Sequence, residues 1–397
     1  MHKGINVLIA ILAGVAAPCT IQAMDAENAV KTVLSNNPRL KAIEESHDAQ
    51  RRMLGVEGRI TSQPEVEFEH LWGKDGSTKW NVGVTQGFDW PGVYAKRKAG
   101  AQAQIDAFQY LYDSEALSVA MEVRLCVARM VYVNRQLEMM NEVSANLKKL
   151  QALVATGYEK GQLNILDVKK LNFEVYSIET KLADLKQEEG ELQAQLAALN
   201  GGAPVAVDAA AYSLQPIRDK EYYLNAAVEN NPDVKAANQK AEASRASAKV
   251  ARANRLPGFS LGYRHAFEEQ THFNGFAVGV TIPVFTTSAA VSAADMEARG
   301  FNFEAVTAAS SARTAISARY DDALRRSAAL KDMAAVALDE NYPRLLLMAY
   351  EGGQINVITY LQEINFFISA RADYLSSEYN YVVDLTELNR FSLGIDG

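Results

Sequence analysis

Histidine and cysteine are scarce in this sequence, whereas aspartate, glutamate and serine abound as in any helical protein. Their spacing forms no catalytic or metal-binding motif. Besides His2 in the leader, the histidines are His47, His70, His265 and His272. None of them shows a His-x-x-x-His spacing, although His265 and His272 are close enough in sequence to meet across one hairpin. A Gly-x-Ser-x-Gly elbow and a phosphate-binding loop are also missing from the sequence. We therefore predict a protein that is not an enzyme and that needs no metal or cofactor.

The composition and the N-terminus limit the partners and the compartment. A net charge of −8 argues against nucleic acid as a partner. Residues 1–23 are predicted to be a secretory signal peptide, with Lys3 as the positive residue, a short apolar run after it and Ala23 at the cleavage point. Cys19 lies in this leader, where Pro18 makes a poor lipidation context, and the sequence leaves its lipidation open. Cys126 then remains as the one cysteine, so no intrachain disulfide is expected.

One short stretch occurs twice and organises the rest of the chain. Residues 158–166 read YEKGQLNIL, and residues 350–358 read YEGGQINVI, so that Gly353 lies 192 residues after Gly161. The Asn-Asn-Pro sequence at 36–38 recurs at 230–232 in the same order relative to the turns. Landmarks repeated in order over half a chain indicate an internal duplication. Each copy is predicted to contain a short helix, two strands, a long helix, a tight turn and a second helix.

The two predicted strand pairs alternate between apolar and polar residues, which is the pattern of a sheet with one apolar face. In the first pair, Trp80 to Trp90 spans about the 9–11 residues that a tilted transmembrane strand needs. Trp72 and Trp80 flank one end of this hairpin and Trp90 the other, where interfacial aromatic girdles lie. Gln86 is the polar exception on the apolar face. A soluble β-domain packed on one face is the alternative interpretation of these strands.

The remaining segments read as long helices. Apolar residues between Val119 and Val154 recur in steps of three and four, which is typical of a coiled coil. A helix of roughly 62–65 residues would be on the order of 95 Å long, and the two shorter helices of each half would stack end to end beside it. The predicted boundaries are a first repeat at 24–200 (strand pair 64–90, long helix 93–156, tip turn 157–163, helix 164–200), a linker at 201–219 in the middle of the rod, and a second repeat at 220–397 (strand pair 256–285, long helix 288–350, tip turn 351–355, helix 356–391).

Four strands cannot close a barrel, and open strand edges are not tolerated in lipid. The chain would therefore contribute its strands to an oligomer. Two copies would give eight strands and three would give twelve, and only a barrel well above eight strands leaves an aqueous lumen. A channel thus favours three copies.

At this point the sequence resembles the TolC-type outer-membrane efflux channels over essentially all of the chain after the leader. The resemblance rests on the duplicated Asn-Asn-Pro starts, on strand pairs that end in Trp-Pro-Gly at 90–92 and Ile-Pro-Val-Phe at 282–285, and on the two turns with Tyr-x-x-Gly at 158–161 and 350–353. The family implies a mixed α/β membrane protein. Its homotrimer has a 12-stranded β-barrel in the outer membrane and a tunnel of long antiparallel periplasmic coiled-coil helices.

The resemblance also implies partners and site residues. The tips of the tunnel would dock onto a periplasmic membrane-fusion adaptor and an inner-membrane transporter, with the resistance-nodulation-division type favoured. The positions that match adaptor contacts are Gly161, Gln162, Gly353 and Gln354. The alternative is that the two glycines serve only the turn. The family often closes its tip with acidic rings, and the matching positions here are Asp167, Thr359, Gln362 and Glu363. The acidic gate is therefore only partly present.

The predicted function is a passive exit duct of a tripartite efflux system, with type I protein secretion as one alternative. A periplasmic coiled-coil adaptor or structural protein is the other alternative. The sequence does not name the cargo, which in this family includes metal ions, drugs and polypeptides, and it does not show whether the resting state is open or closed. The acidic balance suggests a lumen that favours cations.

Overall fold

The structure, a computed structural model, describes residues 24–60, 62–212, 216–268, 270–283, 287–337 and 341–393. The predicted leader, with Lys3, Pro18, Cys19 and Ala23, lies outside the described residues, as do Val284 and Phe285 of the second strand-pair motif. The described residues form ten helices and four strands. These are α1 (Ala26–Asn36), α2 (Pro38–Leu54), β1 (Glu65–Trp72), β2 (Thr78–Phe88), α3 (Pro91–Glu159), α4 (Ile165–Leu199), α5 (Lys220–Glu229), α6 (Pro232–Ala253), β3 (Gly258–Glu268), β4 (Thr271–Thr281), α7 (Thr287–Ala337), α8 (Tyr342–Glu351), α9 (Val357–Leu388) and α10 (Arg390–Leu393).

The four strands form one antiparallel sheet in the order β1-β2-β3-β4. Both hairpins therefore lie side by side, with the second strand of the first half paired to the first strand of the second half. The helices continue this order below the sheet, because α2 packs on α3, α3 on α6, and α6 on α7. The helices of both halves thus form one continuous layer, which we call the wall. In this layer α6 of the second half lies between α3 and α7.

The Asn-Asn-Pro sequences start helices as expected from residue chemistry. The side chain of Asn37 accepts hydrogen bonds from the amides of Arg39 and Leu40, and Asn231 accepts one from Asp233. Pro38 and Pro232 each occupy the first turn, where the missing amide hydrogen costs no helical hydrogen bond. The sequence therefore specifies these two helix starts locally.

The shorter helices stack end to end along the long ones, as the lengths predicted. Where α1 and α2 meet the end of α4, Asn36 Nδ2 donates to Asn200 Oδ1 at 2.9 Å and Asn37 Nδ2 donates to the Leu199 carbonyl at 2.8 Å. In the second half Asn230 Nδ2 donates to the carbonyl of Phe391 at 3.2 Å. Helix α3 has 69 residues, which is about 104 Å at 1.5 Å per residue.

The prediction of one continuous helix over 288–350 is wrong. The chain forms α7 up to Ala337 and a separate α8 from Tyr342, with Asn341 between them in a turn. Pro343 in the first turn of α8 has no amide hydrogen with which to continue a helix from the preceding turn. Helix α2 ends at Leu54, ten residues before the last residue preceding β1.

The middle of the wall is the best-packed region. The predicted coiled-coil seam is buried along α3, where Val119, Val123, Val133, Leu147 and Val154 have essentially no solvent exposure. The same core includes buried residues of α1, α4 and α9. Arg124 is almost fully buried and binds both carboxylate oxygens of Glu27, at 2.9 and 2.7 Å, which ties α1 to α3.

Met24 also contributes to this region. Its amide donates to the Ala206 carbonyl and its carbonyl accepts from the Asp208 amide, so the start of the described chain pairs with the linker between the halves. Since α3 is contacted by elements of both halves here, burial at this level holds the wall together.

Replacing Leu147 with alanine should lower the free energy of unfolding by about 2–5 kcal/mol, because it opens a cavity in a packed seam. Leu153→Ala removes the same atoms from a position that is 41% exposed and serves as the matched control. Urea unfolding of the purified protein, followed by helical circular dichroism, measures both. Equal midpoints for the two variants would show that the seam is not the stabilising core.

Candidate functional site

The two tip turns have the same backbone geometry. In the first, the amide of Gln162 donates to the carbonyl of Gly157 and that of Gly161 to the carbonyl of Tyr158, each at 2.9 Å. The second repeats this pattern with Gln354 to Ala349 and Gly353 to Tyr350. This pair of hydrogen bonds is the Schellman helix ending, which requires a residue with positive φ. Gly161 and Gly353 fill that position, with φ of 71° and 70°.

Each turn leads directly into a capped helix. The side chain of Asn164 accepts hydrogen bonds from the amides of Leu166 and Asp167, and Asn356 accepts one from Thr359. The sequence repeat contains both asparagines, but their capping role was not predicted. Leu163 folds back against Gly157, where an added Cβ would lie only 3.0 Å from its side chain. The tips are therefore rigid turns and not flexible loops.

The outer surface of each tip turn is open. A Cβ added to Gly161 or Gly353 would meet no atom within 4 Å. Gln162 and Gln354 are exposed as well. These four predicted contact positions thus form two matching exposed surfaces at the end of the wall, which another protein could approach closely.

The predicted gate residues lie just beyond the turns, at the starts of α4 and α9. Asp167 and Thr359 occupy equivalent positions, because each donates its amide to the capping asparagine. Glu363 accepts a hydrogen bond from the Tyr342 hydroxyl at 2.8 Å, and Gln362 is exposed. The pKa of Tyr342 is raised first by this hydrogen bond. The pKa of Tyr350 is raised by burial and then by the charge of Asp167, so each acidic residue faces a tyrosine of the α8 segment.

The sheet has one apolar and one polar face, as the alternation predicted. Directly paired residues of antiparallel strands share a face, so the register places the apolar members together: Val66, Phe68, Val82, Val84, Phe88, Phe259, Leu261, Tyr263, Phe276, Val278 and Val280. The opposite face carries Glu65, Glu67, Glu69, Lys79, Asn81, Thr85, Ser260, Arg264 and Glu268. Phe276 is 83% exposed and Val278 76%, so the apolar face is uncovered in the single chain.

Aromatic and imidazole rings gather on the apolar face near the hairpin turns. Trp72 and Trp80 lie there, while Trp90 lies at the other end of the sheet, directly before α3. His265 and His272 do meet, with 3.3 Å between Nε2 of the first and Nδ1 of the second. The Trp80 ring lies 5.5 Å from that of His265. At the opposite end, Gln86 donates to the Ser62 carbonyl, which explains the polar exception on this face.

Within the described chain, no three His, Cys, Asp or Glu side chains lie close enough to hold a metal ion. Likewise, the described helices include none that is long and apolar enough to cross a bilayer. Burial raises the pKa of the Cys126 thiol to about 11, which keeps it protonated and unreactive at neutral pH.

Two helix surfaces were not singled out by sequence reasoning and lack a partner among the described residues. The first, which we call the α7 outer edge, contains the exposed Met296 and Phe303, and Gly300 between them faces open space. At a similar distance from the sheet, α2 exposes Met53 and the chain just after it exposes Val56. The second contains the exposed Phe173 and Tyr176 of α4. These surfaces are explained only if a second chain packs on them. A single sequence therefore gives little signal that predicts them.

Comparison with solved structures shows the fold. The chain superimposes on CusC, in crystal structures describing folding and transmembrane channel formation, with a TM-score of 0.76 at 15% identity, covering 92% of this chain and 91% of that one. A membrane protein from Pseudomonas aeruginosa gives 0.75 at 19% identity, covering 95% and 93%. The open state of the Neisseria gonorrhoeae MtrE outer membrane channel gives 0.74 at 17% identity, covering 96% and 93%.

Neither a protein-family model nor a curated protein sequence matches the chain. The structural likeness nevertheless spans nearly the whole of each chain, at least 92% of this one and 91% of the others. It confirms the fold that the sequence resemblance implied, that of the TolC-type outer-membrane channel chains.

Removing the cap of α4 should loosen the first tip without unfolding the wall. Asn164→Ala deletes two hydrogen bonds to backbone amides, which is worth about 1 kcal/mol and should speed local amide exchange several-fold. Hydrogen exchange read by mass spectrometry on a peptide covering residues 165–170 measures this. Gln162→Ala, at an exposed position whose side chain makes no described hydrogen bond, is the control. Unchanged exchange in the Asn164 variant would show that the cap does not hold the tip.

Proposed function

We propose that this chain, which has the fold of the TolC-type channel chains, is the outer-membrane exit duct of a tripartite efflux system. It would conduct passively what an inner-membrane pump delivers, and it would carry out no chemistry of its own. The observation that carries this proposal is an exposed apolar sheet face on a four-stranded sheet, continued by a wall of helices about 104 Å long. An uncovered apolar face of this size marks an interaction surface, and here it fits lipid.

The assembly we propose is a homotrimer with a 12-stranded barrel. Strands β1 and β4 have no strand neighbour on their outer edges among the described residues, so each has unpaired backbone groups. Pairing β1 of one copy with β4 of the next satisfies them, and the same arrangement brings the α7 outer edge to α2 of the neighbour. The predicted repeats at 24–200 and 220–397, the leader at 1–23 and the outer-membrane location belong to this proposal.

At the other end of the wall, the tips are proposed to bind a periplasmic adaptor and, through the assembled system, an inner-membrane transporter of the resistance-nodulation-division type. The exposed surfaces at Gly161–Gln162 and Gly353–Gln354 support this, because both present bare backbone on rigid turns. Asp167, Thr359, Gln362 and Glu363 lie within the first two turns of the helices that follow, and they are proposed to line the gate. The aromatic girdle is assigned to Trp72, Trp80 and Trp90.

Charged substitutions on the α7 outer edge should break the trimer. Met296→Glu combined with Phe303→Glu places two charges where the neighbour's α2 would pack, and the fraction of trimer on an unheated gel should fall severalfold. Leu153→Glu, at an exposed apolar position of α3, which packs against helices of its own chain on both sides, should leave the trimer intact. Loss of trimer only in the Leu153 variant would contradict the assignment of the interface.

The tip glycines can be tested for contact separately from their role in the turn. Asparagine tolerates positive φ, so Gly161→Asn and Gly353→Asn should retain the turn while adding a side chain to its surface. We expect the double variant to assemble normally and to lose most export of the cognate pump's substrate in cells. Full export would show that these glycines serve only the turn.

The polar sheet face predicts a preference for cations. It carries four acidic residues (Glu65, Glu67, Glu69, Glu268) and two basic ones (Lys79, Arg264), a balance of −2 per chain. Reversal potentials in an asymmetric KCl gradient should therefore have the sign of cation selectivity. Glu65→Gln with Glu69→Gln should reduce them. Anion selectivity in the unmodified channel would refute a cation-favouring lumen.

A further inference from the structure

A groove lined by positive charge lies between α6 and α7, immediately below the sheet. It has a volume of about 780 Å³, and its basic lining residues are Arg245, Lys249, Arg252, Arg255 and Arg299. Asp295 is the one acidic lining residue, and Ser288, Ser292 and Asn302 add neutral polar groups. Such a local excess of cations is notable in a chain whose net charge is −8.

The charges in this groove are only partly compensated. Arg252 binds Asp295 at 2.8 Å, and Arg245 donates to Asn302 and pairs with Glu242 at the rim. Lys249, Arg255 and Arg299 are exposed, and their side chains make no ion pair or hydrogen bond among the described residues. Clustered cations without carboxylate partners repel one another, and an anion in the groove would relieve that repulsion.

The seam between α6 and α7 has two sides, and the groove occupies one of them. On the other side Lys240 lies 4.2 Å from the centre of the Phe301 ring and 3.8 Å from Glu304. The cation on that side is therefore already paired. Which side faces lipid and which faces the lumen follows from the handedness of the chain.

The register and the chirality of L-amino acids identify the side. The Val84 carbonyl points toward β3, because it would lie 2.9 Å from a Cβ built on Gly262. Viewed from the apolar face with the hairpin turns uppermost, β2 runs downward, and an L-residue whose side chain faces the viewer then has its carbonyl on the left. Strand β3 is thus left of β2, and α7 is left of α6.

The rising helix α6 then places the groove. Its buried Ala248 faces α7 on the left. On a right-handed helix that rises, the next residue turns from the left toward the viewer. Lys249 therefore points to the side of the apolar sheet face, and Arg245 and Arg252, three or four residues away, share that side. The groove opens on the surface that continues the lipid-facing side of the sheet.

The height of the groove also fits a membrane boundary. Strands of 11 residues tilted as in known barrels span roughly 25 Å, the height of the apolar band in such proteins. Arg255 lies three residues before the first residue of β3, and Arg245 lies ten residues, or about 15 Å, further down α6. The cations thus begin where lipid headgroups would be.

We propose that this groove binds the phosphate headgroup of an anionic phospholipid in the periplasmic leaflet of the outer membrane. The proposal rests on the proposed function, since it needs the sheet to lie in that membrane. Lys249, Arg255 and Arg299 would contact the phosphate, while Val291 and Ala298 supply apolar surface beside it. The lipid would bridge α6 and α7 of one chain and fix the depth of the barrel.

Native mass spectrometry of the full-length protein in a nonionic detergent tests this, with phosphatidylglycerol and phosphatidylcholine titrated separately. We expect phosphatidylglycerol to bind at least tenfold more tightly. The variant with Lys249→Gln, Arg255→Gln and Arg299→Gln should lose at least tenfold in that affinity. The control removes the same charge far from the sheet, with Lys169→Gln, Lys170→Gln and Lys181→Gln, and should bind like the unmodified protein.

Three results would overturn the proposal. These are equal affinities for the two lipids, equal losses in both triple variants, and displacement of the lipid by an equal concentration of inorganic phosphate. The test is separable from the proposed function. Protein extracted from outer membranes as an oligomer, but without a preference for phosphatidylglycerol, refutes the lipid site alone, whereas a monomer from the soluble fraction refutes both.

Discussion

The structure depends on a sheet that one chain cannot complete. Four strands leave unpaired amides and carbonyls along the outer edges of β1 and β4, and the apolar face between them is exposed. In water such a surface would aggregate, and in lipid each unpaired backbone group costs several kcal/mol. Closure with other copies resolves both problems at once. The helical wall also needs other copies, because α2 and α7 extend the same two edges below the sheet. Apolar side chains at these edges have no partner among the described residues.

The long helices connect the sheet to the tip turns at the other end of the molecule. They tie the two halves into one wall, since α6 packs between α3 and α7, and the packed middle of α3 is held by elements from both halves. The buried Arg124–Glu27 pair and the asparagine contacts at the helix junctions fix the shorter helices in place. The result is a rigid connection between the sheet at one end and the two tip turns at the other. A change of state at the tips would therefore involve the helices and not the turns themselves.

Most of the fold was predictable because its signals are local. The alternation of strands, the coiled-coil seam, the asparagine-proline starts and the tip glycines each act within a few residues, and the duplication placed them in order. The break near Pro343 was missed because the surrounding residues still favour a helix. The histidine pair was recognised as a possibility, since hairpin register brings the two residues together. The α7 outer edge and the basic groove were not predictable, because they depend on which helices become neighbours across the wall. The role of the gate positions cannot be read from one chain, since a ring forms only between copies.

The most direct test of the account is the number of chains in the particle extracted from outer membranes. Native mass spectrometry of the purified protein, released from detergent micelles, gives that number without any assumption about shape. The account predicts three chains, because twelve strands close a barrel with an open lumen and satisfy every strand edge. A single chain recovered from the soluble fraction would contradict the central claim, since the sheet edges would then be stable without a partner.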